Sequence, residues 1–176
     1  MNINEEDNPL VIEVYGKQFS WNARYAGADN TLGKANVRFI EGANVVGVDA
    51  SDPYAEDDII TAELHLPVNR AVIFKFRSQD VLHSAYFPHF RAQMNVVPGM
   101  VTQFSFTPTV TSEEIRETEY MVNKIERITE IRRERNLELA AEGGEPLPEY
   151  EQFEYYLLCN KICGVAHYNM QMKIVV

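Results

Sequence analysis

The feature that most constrains this chain is a run of four soft metal-ligand side chains close to its C-terminus. They are Cys159, Cys163, His167 and Met170, at offsets 0, 4, 8 and 11. On an α-helix, which rises about 1.5 Å per residue, the first and last would lie roughly 16 Å apart, too far for one metal centre to contact both. Gly164 also disfavours a helix. The spacing therefore predicts a loop that curls around a metal between two strands.

The chemistry of these side chains narrows the choice of metal ion. Two thiolates, an imidazole and a thioether are soft ligands, and a thioether in particular favours copper over zinc, calcium or magnesium. A structural zinc site with C-x₂₋₄-C spacing is an alternative, and so is a reversible Cys159–Cys163 disulfide. Neither alternative uses Met170.

A second imidazole ligand has to come from elsewhere in the chain. His65 alternates with two leucines in a predicted strand, which is typical of an ordinary sheet residue. His83 lies in a predicted loop after a strand, beside aromatic residues, and we expect it to be the ligand. His89 lies in the same predicted loop and is the second candidate.

Most of the remaining chain consists of short apolar segments, several of them alternating, separated by turn residues. This pattern predicts strands rather than helices, and short strands with turns between them favour an all-β barrel or sandwich. Residues 10–15 and 18–21 form one predicted strand region. The other predicted strands cover residues 35–40, 59–66, 71–77, 102–107 and 170–176.

One segment has a different character. Residues 113–151 contain 12 acidic and 6 basic side chains. Thr111 and Glu114 are spaced as a helix capping box, an apolar stripe starts at Ile115, and Gly143 is a stop signal. We expect one long surface helix of about 25–30 residues, covering about 112–142 and inserted between strands. A solvated charged helix without a specific partner is the alternative interpretation.

The charge of the chain limits its partners. It has 16 Lys and Arg against 26 Asp and Glu, a net charge of −10. This charge argues against nucleic-acid binding and suits a cationic protein partner. No apolar run approaches the roughly 18–20 residues of a membrane span, and the acidic stretch 1–9 is unlike a signal peptide. We expect residues 1–176 to form a single domain.

Together these motifs resemble the copper-A domain of cytochrome c oxidase subunit II. The C-x₃-C-G-x₂-H-x₂-M run is similar to the family's copper loop, and D-V-L-H-S at 80–84 is similar to its first-histidine segment. The Pro98-Gly99 turn, Q-F-S-W at 18–21 and the tyrosines before Cys159 extend the resemblance over most of the chain.

The resemblance implies a cupredoxin-like Greek-key fold that holds two copper ions. By position, Cys159 and Cys163 would bridge both ions, and His83 and His167 would each bind one. Two further ligands are implied, namely Met170 and the backbone carbonyl of Lys161. The implied function is electron transfer from a c-type cytochrome to haem in subunit I, where oxygen is reduced, with no acid–base or nucleophile pair in this domain.

The chain departs from the family in three places. The family has Glu where this chain has Lys161, so we do not predict the magnesium ligand that this carboxylate provides. Phe19 replaces the Trp through which electrons are thought to enter, and Trp21 is either a substitute or a packed core residue. The family's N-terminal transmembrane hairpin is missing, so we expect a truncated, membrane-anchored protein with this domain on the periplasmic or intermembrane-space side.

Other copper proteins remain as alternatives. The copper-A domain of nitrous oxide reductase has a related loop, but it typically has Glu two residues after the histidine, where this chain has Asn169. A copper-delivery protein would have a more open site without the distant His83. Quinol-oxidase relatives have lost the copper ligands that this chain keeps.

Overall fold

The alternating apolar segments form strands in a computed structural model that describes residues 8–176. Within these residues, ten strands form two five-stranded sheets. In spatial order, the first sheet contains β3 (Ile59–Thr61), β2 (Ser20–Tyr25), β1 (Leu10–Lys17), β5 (Val72–Ser78) and β8 (Thr102–Phe106). The second contains β4 (Leu64–His65), β10 (Gln171–Val175), β9 (Tyr155–Cys159), β6 (His83–Phe87) and β7 (Ala92–Val96).

The two sheets enclose an aromatic core. β5 alternates buried and partly exposed positions, so Val72, Phe74 and Phe76 point inward. The Phe74 ring lies 5.3 Å from the ring of Phe87 in β6, a contact between the two sheets. β1 pairs with β5 in parallel, while β6 pairs antiparallel with both β7 and β9. The predicted β-sandwich with one long helix is therefore confirmed.

Three local predictions are wrong. The predicted strand over residues 59–66 divides into β3 and β4, which belong to different sheets, and between them the Thr61 hydroxyl accepts a hydrogen bond from the Glu63 N–H. Residues 35–40 do not form a strand but include a 3₁₀ turn, Val37–Phe39. The side chain of Asn36 accepts a hydrogen bond from the Arg38 N–H, and such local bonds compete with sheet pairing. His83 and the residues after it were expected in a loop, but they form β6, because pairing with distant β7 and β9 stabilises a strand there.

The charged segment forms two helices rather than one. α1 (Ser112–Glu117) has the predicted capping box, and α2 (Glu119–Glu142) ends at Gly143 in the left-handed conformation. Thr118 separates them because its backbone is extended and its hydroxyl caps α2. The long helix is thus confirmed from Glu119 onward.

The helices belong to a second compact unit. Residues 110–154 form this unit, and residues 8–109 together with 155–176 form the other. Within the helical unit, Arg116 donates hydrogen bonds to the Phe153 carbonyl and to Glu154. Asn136 and Leu147 exchange two hydrogen bonds, so the returning segment is tied to α2. The interpretation of residues 1–176 as a single domain stays a prediction, and residues 1–7 lie outside the described part of the chain.

A buried ion network ties the 27–58 region to the first sheet. Arg24 is 2% exposed, and its guanidinium lies 3.0 Å from Glu13 and 3.1 Å from Asp58. Arg77 also lies 3.0 Å from the Glu13 carboxylate. Burial raises the pKa of Asp58, although the nearby Arg24 charge acts in the opposite direction.

We expect Glu13→Gln to destabilise the protein. The substitution leaves the buried Arg24 guanidinium without a charged partner on that side, and breaking a buried pair typically costs about 3–5 kcal/mol of unfolding free energy. Urea unfolding measures this loss. The matched control is Glu63→Gln at the exposed pair with His65, where we expect a change of about 0.5 kcal/mol or less. Equal losses in both variants would contradict the prediction.

Candidate metal centre

The ends of three strands of the second sheet position the predicted ligand residues. Along β9 the buried positions alternate, which places Cys159 on the inner face at the end of the strand. The loop that follows returns to its starting point, because the Cys159 N–H donates to the Met170 carbonyl at 3.0 Å. β10 begins at the next residue. The two ends of the ligand loop are therefore held side by side.

The distant histidine reaches the loop through strand pairing. In β6, Ala85 lies directly opposite Cys159 of β9. The Asn160 N–H extends this pairing by donating to the Ser84 carbonyl at 3.2 Å. His83, two residues before Ala85, lies on the same face of the strand. Strand pairing thus brings His83 close to Cys159.

The six predicted donor groups converge at this end of the sandwich. Each sulfur of the two cysteines has a different imidazole beside it, and each also has one weaker donor nearby. The Sγ atoms of Cys159 and Cys163 are 3.9 Å apart. Cys159 Sγ lies 3.9 Å from His83 Nδ1 and 3.2 Å from the Lys161 carbonyl oxygen. Cys163 Sγ lies 3.5 Å from His167 Nδ1 and 3.7 Å from Met170 Sδ.

Four of the six donor residues are buried, whereas His167 is half-buried and Lys161 is exposed. His83 is 0% exposed, Met170 1%, and each cysteine 7%. Both cysteines are unbridged thiols. Burial, and then the neighbouring Cys159 thiol, raises the pKa of Cys163 to about 11. Metal binding at this site must therefore displace a tightly held proton.

The donor set of this cluster fits copper. Thiol, thioether and imidazole groups are the soft ligands that copper prefers. Within residues 8–176, a potential metal-binding group forms from His83, Cys159 and Cys163, whose ligand atoms lie within 4.8 Å of one another. The Met170 sulfur lies against Cys163 and adds the thioether that a structural zinc site does not use.

The other two histidines lie elsewhere. His65 is in the short strand β4, with its exposed side chain 3.8 Å from Glu63. His89 lies in a 3₁₀ turn after β6, where its ring packs edge-on to Tyr155 at 5.8 Å. In the part of the chain that the structure describes, neither belongs to the metal-binding group. The choice of His83 over His89 therefore agrees with the geometry.

The aromatic ring of Trp21 packs against His83. Trp21 is 3% exposed, and its ring contacts the His83 ring edge-on at 5.8 Å. A Cβ atom at Gly16 would lie 2.8 Å from the Trp21 ring, so a glycine is needed for this contact. Trp21 is consequently a packed core aromatic that also covers one side of the His83 ring.

Sequence reasoning assigned no role to three residues that border the ligands. Gly164 has φ +146°, and a Cβ atom there would lie 2.8 Å from both the Phe19 ring and the Gln18 side chain. The Gln18 side chain donates a hydrogen bond to the Cys163 carbonyl, and Asp80 lies 2.8 Å from Nε2 of His83. The signal available in the sequence was proximity to the motifs, since all three lie within or beside them.

We expect Gly164→Ala to destabilise the protein more than Gly99→Ala does. Both glycines have positive φ values, but a Cβ atom at Gly99 would meet open space. The Gly99 variant carries only the backbone cost of about 1 kcal/mol, whereas the Gly164 variant adds a steric clash of about 1–3 kcal/mol. Urea unfolding of both variants measures the difference, and equal losses would show that the Phe19–Gly164 contact is unimportant.

Comparison with known proteins identifies similar chains. A sequence profile of the cytochrome c oxidase subunit II periplasmic domain matches residues 10–115. An alternative cytochrome c oxidase subunit 2 from Bradyrhizobium diazoefficiens is 32% identical over 94% of this chain and 46% of its own length. A cytochrome c oxidase subunit 2 from a Synechocystis species is 27% identical over 52% of this chain and 19% of its own length. This chain thus spans less than half the length of these relatives.

A solved structure supports the fold. The crystal structure of the periplasmic domain of cytochrome oxidase subunit II from Bradyrhizobium japonicum has a TM-score of 0.50 and 20% sequence identity. The match covers 95% of this chain and 83% of that domain. Across residues 8–176, none of the helices combines the length and the apolar character that a membrane crossing requires.

Proposed function

This chain belongs to the family of cytochrome c oxidase subunit II periplasmic domains, as its motifs predicted, and we propose that it is the electron-transfer domain of such an oxidase. It accepts electrons one at a time from a c-type cytochrome and passes them to haem in subunit I, where oxygen is reduced. Through this role it is a subunit of an oxidoreductase complex.

The observation that carries this proposal is the division of the cluster into two similar halves. One half contains Cys159 with His83 and the Lys161 carbonyl, and the other contains Cys163 with His167 and Met170. Six donors exceed the four that a single tetrahedral metal uses. This arrangement supports two copper ions, which the two thiolates, the two imidazoles and the two weaker donors would hold together.

The protein's part in this function is to hold the donors and to exclude water. Bound copper supplies the one-electron chemistry by alternating between Cu(II) and Cu(I). His83 and Cys159 lie on paired strands, and Cys163 lies in the loop whose two ends are joined by the bond from the Cys159 N–H to the Met170 carbonyl. The positions of these donors therefore need to change little when an electron arrives or leaves. His83, Cys159, Cys163 and Met170 are buried, and such a water-poor environment around metal ligands tunes the redox potential.

The remaining parts of the proposal concern partners and location. The net charge of −10 suits a cationic cytochrome donor. By analogy with its family, the domain works on the periplasmic or intermembrane-space side, beside subunit I, as part of a membrane-anchored protein. We propose that residues 110–154 are an insertion between β8 and β9 in an otherwise single copper-binding domain.

Metal analysis and electron paramagnetic resonance of the copper-loaded chain test the proposed centre. We expect two coppers per chain and one unpaired electron shared between them, because the Cys159 and Cys163 Sγ atoms are 3.9 Å apart and both thiolates could contact both ions. Cys163→Ser is expected to abolish this signal. Met170→Leu is expected to keep both coppers but to shift the spectrum and the potential, because it removes only a weak donor.

The control variants for this experiment are His65→Ala and His89→Ala. Both remove an imidazole outside the cluster, so the two-copper signal should be unchanged. A single localised Cu(II), or zinc in place of copper, would count strongly against the proposal. Loss of the centre in the His89 variant would show that the wrong histidine was chosen.

We expect electron transfer from a Lys-rich c-type cytochrome to slow down as salt is added. Attraction between opposite charges accelerates encounter, and its range falls from about 30 Å at 0.01 M salt to about 8 Å at 0.15 M. Stopped-flow absorbance measures the second-order rate at both salt concentrations. Reduction by uncharged hydroquinone is the control and should change little. A cytochrome rate that is independent of salt would contradict an electrostatically steered donor.

A further inference from the structure

The turn between β1 and β2 contacts both segments that provide metal ligands. Gln18 lies in this turn, and its backbone N–H donates to Oδ2 of Asp80 at 2.7 Å. Its side-chain Nε2 donates to the backbone carbonyl of Cys163. Gln18 therefore joins the segment before His83 to the loop that contains the second cysteine.

The Asp80 side chain, which accepts the bond from Gln18, also contacts His83. Its Oδ1 atom lies 2.8 Å from His83 Nε2 and also accepts a hydrogen bond from the Val81 N–H at 2.7 Å. With Gln18 on its other oxygen, the carboxylate is held by two backbone N–H groups. A carboxylate fixed in this way accepts a hydrogen bond from the Nε2–H of His83, which leaves the unprotonated Nδ1 atom on the side of Cys159.

We propose that Gln18 and Asp80 are positioning residues that form an outer-sphere latch across the metal centre. The latch fixes the histidine segment relative to the cysteine loop, and its Asp80 end sets which nitrogen of His83 faces the sulfurs. This inference rests on the proposed function, because the latch acts on the residues that we propose as copper ligands.

The latch connects the two sheets at the metal end of the sandwich. Gln18 follows β1 in the first sheet, whereas His83 and Cys163 belong to β6 and to the loop after β9 in the second. The neighbouring Phe19 ring packs so closely on Gly164 that no Cβ atom fits between them. This contact is independent of the hydrogen bonds, and it places the turn against the same loop.

Two substitutions separate the two ends of the latch. Asp80→Asn keeps the size of the side chain but removes the charge and one of the two acceptor oxygens. Gln18→Met removes only the side-chain donor to Cys163 and leaves the backbone N–H that bonds to Asp80. The controls are Asp57→Asn, whose carboxylate accepts from Ala28 and Asp29 N–H groups in a different turn, and Gln103→Met, at an exposed position in β8.

The first measurement uses the metal-free protein. Nitrogen-15 NMR of the imidazoles shows which ring nitrogen carries the proton. In the unaltered chain and the Asp57 variant we expect His83 to be protonated on Nε2, and in the Asp80 variant we expect this preference to be lost. An unchanged His83 signal in a folded Asp80 variant, as judged by circular dichroism, would overturn the role of Asp80. If Asp80→Asn does not fold, the Cu(I) affinity of the Gln18→Met variant alone tests the latch.

The second measurement is competition for Cu(I) against a chromophoric chelator. Loss of partners that orient metal ligands typically weakens metal binding about 10–100-fold, and we expect that range for Asp80→Asn and Gln18→Met. The two control variants should bind Cu(I) as tightly as the unaltered chain. Equal affinity in Gln18→Met and its Gln103 control would overturn the latch.

Failure of the proposed function and failure of the latch give different results. If the unaltered chain does not bind copper, the proposed function fails. If it binds two coppers but Asp80→Asn and Gln18→Met bind them equally well, and the His83 signal is unchanged, the proposed function stands and the latch is wrong.

Discussion

The pairing of β6 with β9 is the interaction on which the metal centre depends. Paired strands lie about 4.7–4.9 Å apart, and side chains alternate between the two faces of a sheet. Because Ala85 lies opposite Cys159, His83 is placed on the same face and next to the cysteine, although 76 residues separate them in sequence. A register shift of one residue would turn His83 to the other face and remove one imidazole from the cluster.

Burial gives this cluster its chemical character. Burial raises the pKa of Cys163 from its ordinary value of 9.0 to about 11, so the thiol holds its proton more tightly than one in water. The same absence of water that opposes ionisation strengthens the interaction of the sulfurs with a bound cation. The rigid strands, the Trp21 ring and the turn at Gln18 surround the donors on several sides. A site built in this way favours small changes in ligand position, as the proposed electron transfer would require.

The local sequence was a good guide where short-range interactions decide the structure. The capping box at Thr111 and the stop at Gly143 mark the ends of the helical segment, because caps depend only on residues within one turn. The same reasoning failed at residues 35–40, where the Asn36 side chain bonds to the backbone and a 3₁₀ turn forms. It also missed β6, whose residues form a strand because distant partners pair with them.

The sequence by itself determined the soft donor set, the family, and the sandwich with a long charged helix. Residue types, spacing and alternation are local properties, and they were sufficient for these conclusions. Only the tertiary structure decided that each cysteine sulfur has its own imidazole and weaker donor, and that Gln18 and Asp80 border the ligands. The contacts of Gln18 with Asp80, of His83 with Cys159 and of Gln18 with Cys163 join residues 62, 76 and 145 positions apart. Their geometry depends on the register of paired strands and on how the two sheets pack.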